Sequence, residues 1–246
     1  MLSEYTVELL NIDIEDTISR VKNDGLMIIP NYVPKEQLEN LNKEFDSIIN
    51  KANSCGFSVN HLENGIAIAA IRNQLSYSDM PVTLALFGST FMGEVARGLY
   101  NEPTALNHQI YINQNGGTDA PIPKLPFLPH FDTIRTLKFF VYLSDTDKNN
   151  GAMFCHPGSV LENRAKRLTG LRENKDYKDV NNVVPGNNMV PIEAPAGAMF
   201  IFDTDMSHNA GHVQLGRERR IMRGHTRSVS ELKIYSLERE AVGVTV

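Results

Sequence analysis

At Ala105 the hydrophobic period of the chain changes, and that switch constrains the fold more than any single motif. Before it, apolar residues recur at helical spacing. Ile14, Ile18 and Val21 share one face, and Gly25 stops that helix. The apolar run 26–29 reads as a short buried strand. Pro34 opens a second helix, since proline suits a first turn. Its stripe is Leu38, Leu41, Phe45, Ile48 and Ile49. A third helix is expected from about Ser89 to Leu99. From Ala105 to Asn113 the alternation has period two. Asn107, Gln109, Tyr111 and Asn113 fall on one face, and Leu106, His108, Ile110 and Ile112 on the other. A Gly- and Pro-rich loop follows over 115–129. Further strands are expected over 137–143, 152–155, 189–192, 198–202 and 220–226. Residues 161–188 are polar and charged and read as a long insertion between strands. Helices first and short antiparallel strands later predict one α+β domain over residues 1–246. Its 1–104 part is mainly helical and its 105–230 part is a barrel or sandwich core.

The charge balance narrows the function. With 29 acidic against 24 basic side chains the formal charge is -5, which disfavours nucleic acid as a partner. Cys55 and Cys155 are the only cysteines, so a disulfide framework and a four-cysteine zinc site are excluded. The first residues have no basic n-region, and no stretch reaches the roughly 20 apolar residues of a spanning helix. A cytoplasmic protein free of the membrane is expected.

Three groups of residues point to chemistry. In Pro129-His130-Phe131-Asp132, positions i and i+2 of an extended segment face the same side, so His130 and Asp132 can meet at one point. An H-x-D triplet is commonplace, and a surface His–Asp hydrogen bond explains it equally well. The apolar strand ending at Asp203 leads to His208. Two histidines and one carboxylate on a common face would form the facial triad of non-haem Fe(II) oxygenases. A histidine in a strand-end loop is the plainer reading. Finally, Arg217-Glu218-Arg219-Arg220 runs into a strand. An arginine buried there needs an anion, and a carboxylate matches its planar fork. A solvated turn accounts for Arg217 but not for both Arg219 and Arg220. Adjacent strand residues face opposite ways, so one of the two points inward.

These segments resemble the phytanoyl-CoA dioxygenase family. The likeness lies in His130-Phe131-Asp132, the strand Leu137-Lys138-Phe139-Phe140-Val141-Tyr142-Leu143, Asn150-Gly151-Ala152-Met153, Pro157-Gly158-Ser159, the strand 197–202 with His208, and an arginine eleven positions on. Asp24 to Pro30 and the Pro34 helix resemble the family's amino-terminal part. The likeness is weakest over 54–82 and 161–188, where substrate-specific loops are expected. It implies a double-stranded β-helix, a jelly-roll or cupin-like barrel, with the amino-terminal helices packed on it. It implies Fe(II), 2-oxoglutarate and O2 as cofactor and cosubstrates. It makes His130, Asp132 and His208 the iron ligands, and Arg219 the partner of the distal carboxylate of 2-oxoglutarate, with Arg220 in its place if the register slips. His212 competes with His208 but has the wrong spacing to Arg219.

Ala210 replaces a hydroxyl residue frequent in the family, and Val160 replaces a histidine. Both bear on finer cosubstrate contacts. Gln109 and Tyr111 are expected to line the cosubstrate pocket. Arg72 and Arg135 are candidates for the substrate, which is anionic if both point inward; a solvated surface arginine is the plainer reading of each. The expected reaction is hydroxylation of a small molecule with release of succinate and CO2. Desaturation, epoxidation and C–N cleavage start from the same chemistry. Related halogenases replace the metal carboxylate with Gly or Ala, whereas Asp132 is present. A cupin-like non-redox metal enzyme or binding protein is the alternative, and it has no need of a buried arginine at 219.

Overall fold

The computed structural model describes residues 2–51, 57–62, 65–71, 75, 78–173 and 183–241. Helix α1 (Ile14–Asn23) begins at Asp13, whose side chain accepts from the Asp16 amide at 2.8 Å. Beyond its end Gly25 has φ +86°, and a Cβ there would lie 2.7 Å from Met206 Cβ. Only glycine fits this turn into β1 (Leu26–Ile29). Helix α2 (Lys35–Lys51) buries Leu41, Phe45 and Ile48. Strands β2 (Ser58–Leu62) and β3 (Gly65–Ile71) and helices α3 (Pro81–Phe87) and α4 (Thr90–Tyr100) follow. Ser89 caps α4 by accepting from the Met92 amide.

The second half supplies β4 (Thr104–Gly116), β5 (Leu137–Tyr142), β6 (Phe154–His156), α5 (Val160–Glu173), β7 (Val190–Pro191), β8 (Met199–Asp203), β9 (Ser207–Asn209), β10 (Glu218–Ser228) and α6 (Val229–Ala241). Seven strands form an antiparallel sheet in the order β1-β8-β5-β10-β4-β3-β2, and β7-β6-β9 form a smaller one. Together they make the jelly-roll core. Both faces of the large sheet are covered, so β1, β5 and β8 are buried along their whole length and read as continuous apolar runs. The outer face, with Met27, Ile29, Phe139, Val141, Met199 and Ile201, packs under the helices. The inner face, with Ile28, Phe140, Tyr142, Phe200 and Phe202, meets Met153, Cys155 and Met206.

Several elements differ from expectation. Residues 67–71, expected as loop, belong to β3, which pairs with β2 and extends the sheet beyond β4. The 161–188 insertion is not all loop, because α5 occupies its first half. Helices α3 and α6 had no counterpart in the sequence pattern. Asn107 does not share the face of Gln109 and Tyr111. It has φ 43° beside a register shift at His225/Arg227, and its side chain turns outward to the Phe87 carbonyl at 2.8 Å. That bulge interrupts the period-two alternation. Among the described residues no helix is long and apolar enough to cross a membrane.

Candidate metal centre

Main-chain pairing builds the cluster. The His130 amide donates to the His208 carbonyl at 3.0 Å, and the His208 amide returns the bond at 2.7 Å. This isolated antiparallel bridge puts both rings on one side, with centroids 4.5 Å apart. Two residues on, the Asp132 amide donates to the Thr204 carbonyl. Asp132 Oδ1 then lies 3.5 Å from His130 Nε2 and 3.4 Å from His208 Nε2. One ligand atom from each residue falls within 4.8 Å of the others.

Each side chain is oriented from behind. His130 Nδ1 donates to the Leu128 carbonyl and His208 Nδ1 to the Met206 carbonyl, both at 2.8 Å. A carbonyl only accepts, so both Nδ1 atoms carry the proton and both Nε2 lone pairs face Asp132. Lys138 Nζ donates to Asp132 Oδ2 at 2.8 Å, which leaves Oδ1 for the centre of the cluster. Burial opposes the Asp132 charge, yet the Lys138 ammonium beside it holds the carboxyl well below the usual range. Burial lowers His208, which favours the neutral ligand form. Asp132 keeps 26% of its side-chain surface exposed, against 10% and 6% for the two histidines. The opening of the site is therefore at the carboxylate.

The turn that delivers His208 rests on an ion-pair group. Asp203 and Asp205 are fully buried. Arg164 donates to both at 2.8 Å. Arg167 donates to Asp205 Oδ1 at 2.6 Å and lies 3.3 Å from Glu231. Arg135 reaches Asp203 at 2.7 and 2.8 Å and lies over the Tyr100 ring. Arg135, expected to meet the substrate, has its guanidinium engaged by Asp203. Arg72 lies outside the described residues.

Arg219 and Arg220 face opposite ways. Arg220 turns outward to Asp46 and stacks on Phe45. Arg219 points inward and is 5% exposed. Its Nη atoms donate to the Gly151 carbonyl and to Asn115 Oδ1, and its Nε has no partner. Burial pushes its pKa down to about 10. Gln109 and Tyr111 line the same inner wall: Gln109 accepts from Arg227 at 3.0 Å, and the Tyr111 ring lies 4.3 Å from that of His225, tilted by 33°. His212 sits beside Thr118, apart from the cluster. Sequence reasoning missed Lys138, although a lysine inside the apolar run 137–143 was its signal. It also passed over Arg223 and His225 on the inner face.

The family described as Phytanoyl-CoA dioxygenase (PhyH) matches residues 21–221. No curated protein sequence matches the chain. Among solved structures, the non-haem alpha-ketoglutarate-dependent carbocyclase SnoK from nogalamycin biosynthesis is 17% identical over 89% of this chain and 85% of its own, with a TM-score of 0.62. EctD from S. alaskensis is 16% identical over 89% of this chain and 78% of its own, with a TM-score of 0.63. HygX from Streptomyces hygroscopicus, with nickel and 2-oxoglutarate bound, is 12% identical over 87% of each chain, with a TM-score of 0.60. At these identities the likeness is one of fold.

Proposed function

Because this chain belongs to the phytanoyl-CoA dioxygenase family and is an iron- and 2-oxoglutarate-dependent oxygenase, we propose that it hydroxylates a C–H bond of a small molecule, with His130, Asp132 and His208 as iron ligands. The observation that carries this reading is the convergence of two Nε2 lone pairs and one carboxylate oxygen, each held from behind. Two imidazoles and a carboxylate on one side suit Fe(II) and leave the opposite positions open. Bound iron supplies O2 activation, in which 2-oxoglutarate leaves as succinate and CO2 and the substrate gains one oxygen.

The protein's own residues bind, orient and exclude water. Leu128 and Met206 fix the imidazole tautomers through their carbonyls. Lys138 fixes the Asp132 carboxylate and keeps it charged. Arg219 suits the distal carboxylate of 2-oxoglutarate, because its buried guanidinium meets only neutral oxygens. A dianion brings the charge that this fork lacks. Phe140, Tyr142, Phe200 and Phe202 wall the interior against water. The intact carboxylate at Asp132 favours hydroxylation over halogenation.

Anaerobic titration tests the assignment. Fe(II) and 2-oxoglutarate together give a weak visible band and a calorimetric binding signal. Absence of 2-oxoglutarate binding in the presence of iron overturns the reading. His208→Ala abolishes succinate release, whereas His212→Ala retains it; the reverse moves the ligand to His212. Mass spectrometry of products from a metabolite screen shows the gain of one oxygen, and loss of two hydrogens instead would replace hydroxylation by desaturation.

A further inference from the structure

The inner wall of β10 holds a second arginine that this reaction scheme leaves over. Arg223 stands opposite Tyr111 on β4 and Phe140 on β5. Its guanidinium lies 4.7 Å from the centre of the Tyr111 ring and 5.6 Å from that of Phe140. No carboxylate among the described residues is within ion-pair distance, and its Nε is buried without a partner. His225, two residues along the same face, has both ring nitrogens buried and unpartnered. Burial, with Lys138, Arg223 and Arg227 around it, holds His225 neutral. A neutral imidazole still has one N–H to donate.

Accessibility separates Arg223 from its neighbours. Arg219, Lys138, His225 and Arg227 on this wall are all buried, while Arg223 keeps part of its surface open. Position separates it from the cosubstrate. Arg219 and Arg223 are four residues apart on one face, so their Cα atoms lie about 13 Å apart at about 3.3 Å per residue. 2-Oxoglutarate has two carboxylates, one for the metal and one for Arg219 in the reading above. No third carboxylate remains for Arg223. A cation held on a low-dielectric wall with no carboxylate in contact is costly until an anion arrives.

We propose that Arg223, with His225 beside it, anchors a carboxylate group of the primary substrate, so that the enzyme selects anionic substrates. The inference rests on the oxygenase reading, and it assigns the substrate class of that same site. The planar fork receives the carboxylate edge-on, and Tyr111 and Phe140 hold the plane. A substrate so anchored lies with its charge on β10 and the rest of its length toward the opening at Asp132.

The test uses the enzyme loaded anaerobically with Fe(II) and 2-oxoglutarate, with benzoate and benzamide as probes. Calorimetry and the visible band report binding. Wild type binds benzoate on the order of 10-fold more tightly than benzamide, and Arg223→Met removes that preference. Arg223→Lys retains part of it, since charge persists but the fork is lost. The affinity for 2-oxoglutarate, measured without probe, stays within about twofold in both variants. Equal binding of the two probes by wild type overturns the proposal. So does a benzoate preference that survives Arg223→Met, which would place the probe elsewhere. A tenfold loss of 2-oxoglutarate affinity in Arg223→Met also overturns it, by assigning Arg223 to the cosubstrate. Wild type that binds no 2-oxoglutarate at all is a different failure, that of the oxygenase reading itself.

Discussion

Two groups of buried charge lie on either side of the same strands, and they are composed oppositely. Behind the β8–β9 turn, Arg135, Arg164 and Arg167 face Asp203, Asp205 and Glu231. Every cation there touches a carboxylate. On the inner wall, Arg219 and Arg223 touch none among the described residues, whereas Lys138 meets Asp132. The first group is complete within the chain and acts as architecture, holding the turn that carries His208. The second is incomplete, and ligands are what complete it. Burial by itself distinguishes neither; the counter-charge does.

The largest expected effect breaks the balanced group. Asp205→Ala leaves Arg167, itself 1% exposed, without its main partner. Removing one member of a buried pair costs about 3–5 kcal/mol, read as a lower urea midpoint at an unchanged slope. Arg223→Met on the other wall leaves the midpoint unchanged or raises it, because a cation without a counter-charge is removed. Equal losses from the two substitutions would erase the distinction drawn here.

The next effect sharpens it. Arg219→Lys keeps the charge but loses the fork. It weakens 2-oxoglutarate roughly 10- to 100-fold, as expected for one charge-assisted hydrogen bond, while iron affinity is little changed. Arg220→Lys, on the outer face against Asp46, leaves 2-oxoglutarate affinity as it is. Calorimetry on both variants checks the pair, and an effect confined to Arg220 would reverse the assignment of faces.

The smallest effect is in pH. Burial first, and then Arg227, push His108 down to about 4 from an ordinary 6.5. The unfolded chain therefore binds a proton between these values that the folded chain refuses. Stability falls as pH drops through that window. His108→Gln flattens this part of the profile, measured by denaturant unfolding at pH 5 and pH 7.5. An unaltered profile would show that His108 contributes nothing to it.

The sequence made legible what depends on apolar period. Helices α1, α2 and α4 and strands β1, β5, β8 and β10 all follow runs or stripes that the core demands. It hid elements whose buried face is polar. Helix α5 buries Val160, Asn163 and Arg167 at helical spacing, but two of the three are polar or charged, so the stripe does not register as apolar. Strand β2 is short and half exposed, with no apolar run to mark it. In the site, His130, Asp132 and His208 were legible because i and i+2 share a face and because the resemblance placed the third member. The ion pair of Arg135 was not legible, because its nearness in sequence to Asp132 says nothing about Asp203, its partner 68 residues away. Arg223 was passed over because a single arginine in a strand gives no hint of which neighbours lack a negative charge.

The two carbonyls behind the histidines have a consequence for how such a chain can change over time. Each belongs to the residue two places before its own histidine, Leu128 for His130 and Met206 for His208. The proton on each ring is thus dictated by local loop conformation, and every amino acid brings a carbonyl. No side-chain replacement at 128 or 206 deletes the acceptor itself. Substitution can accumulate around the cluster while the donor set stays aimed, so a lineage can rewrite its walls, and with them its substrate, without rebuilding its metal ligands.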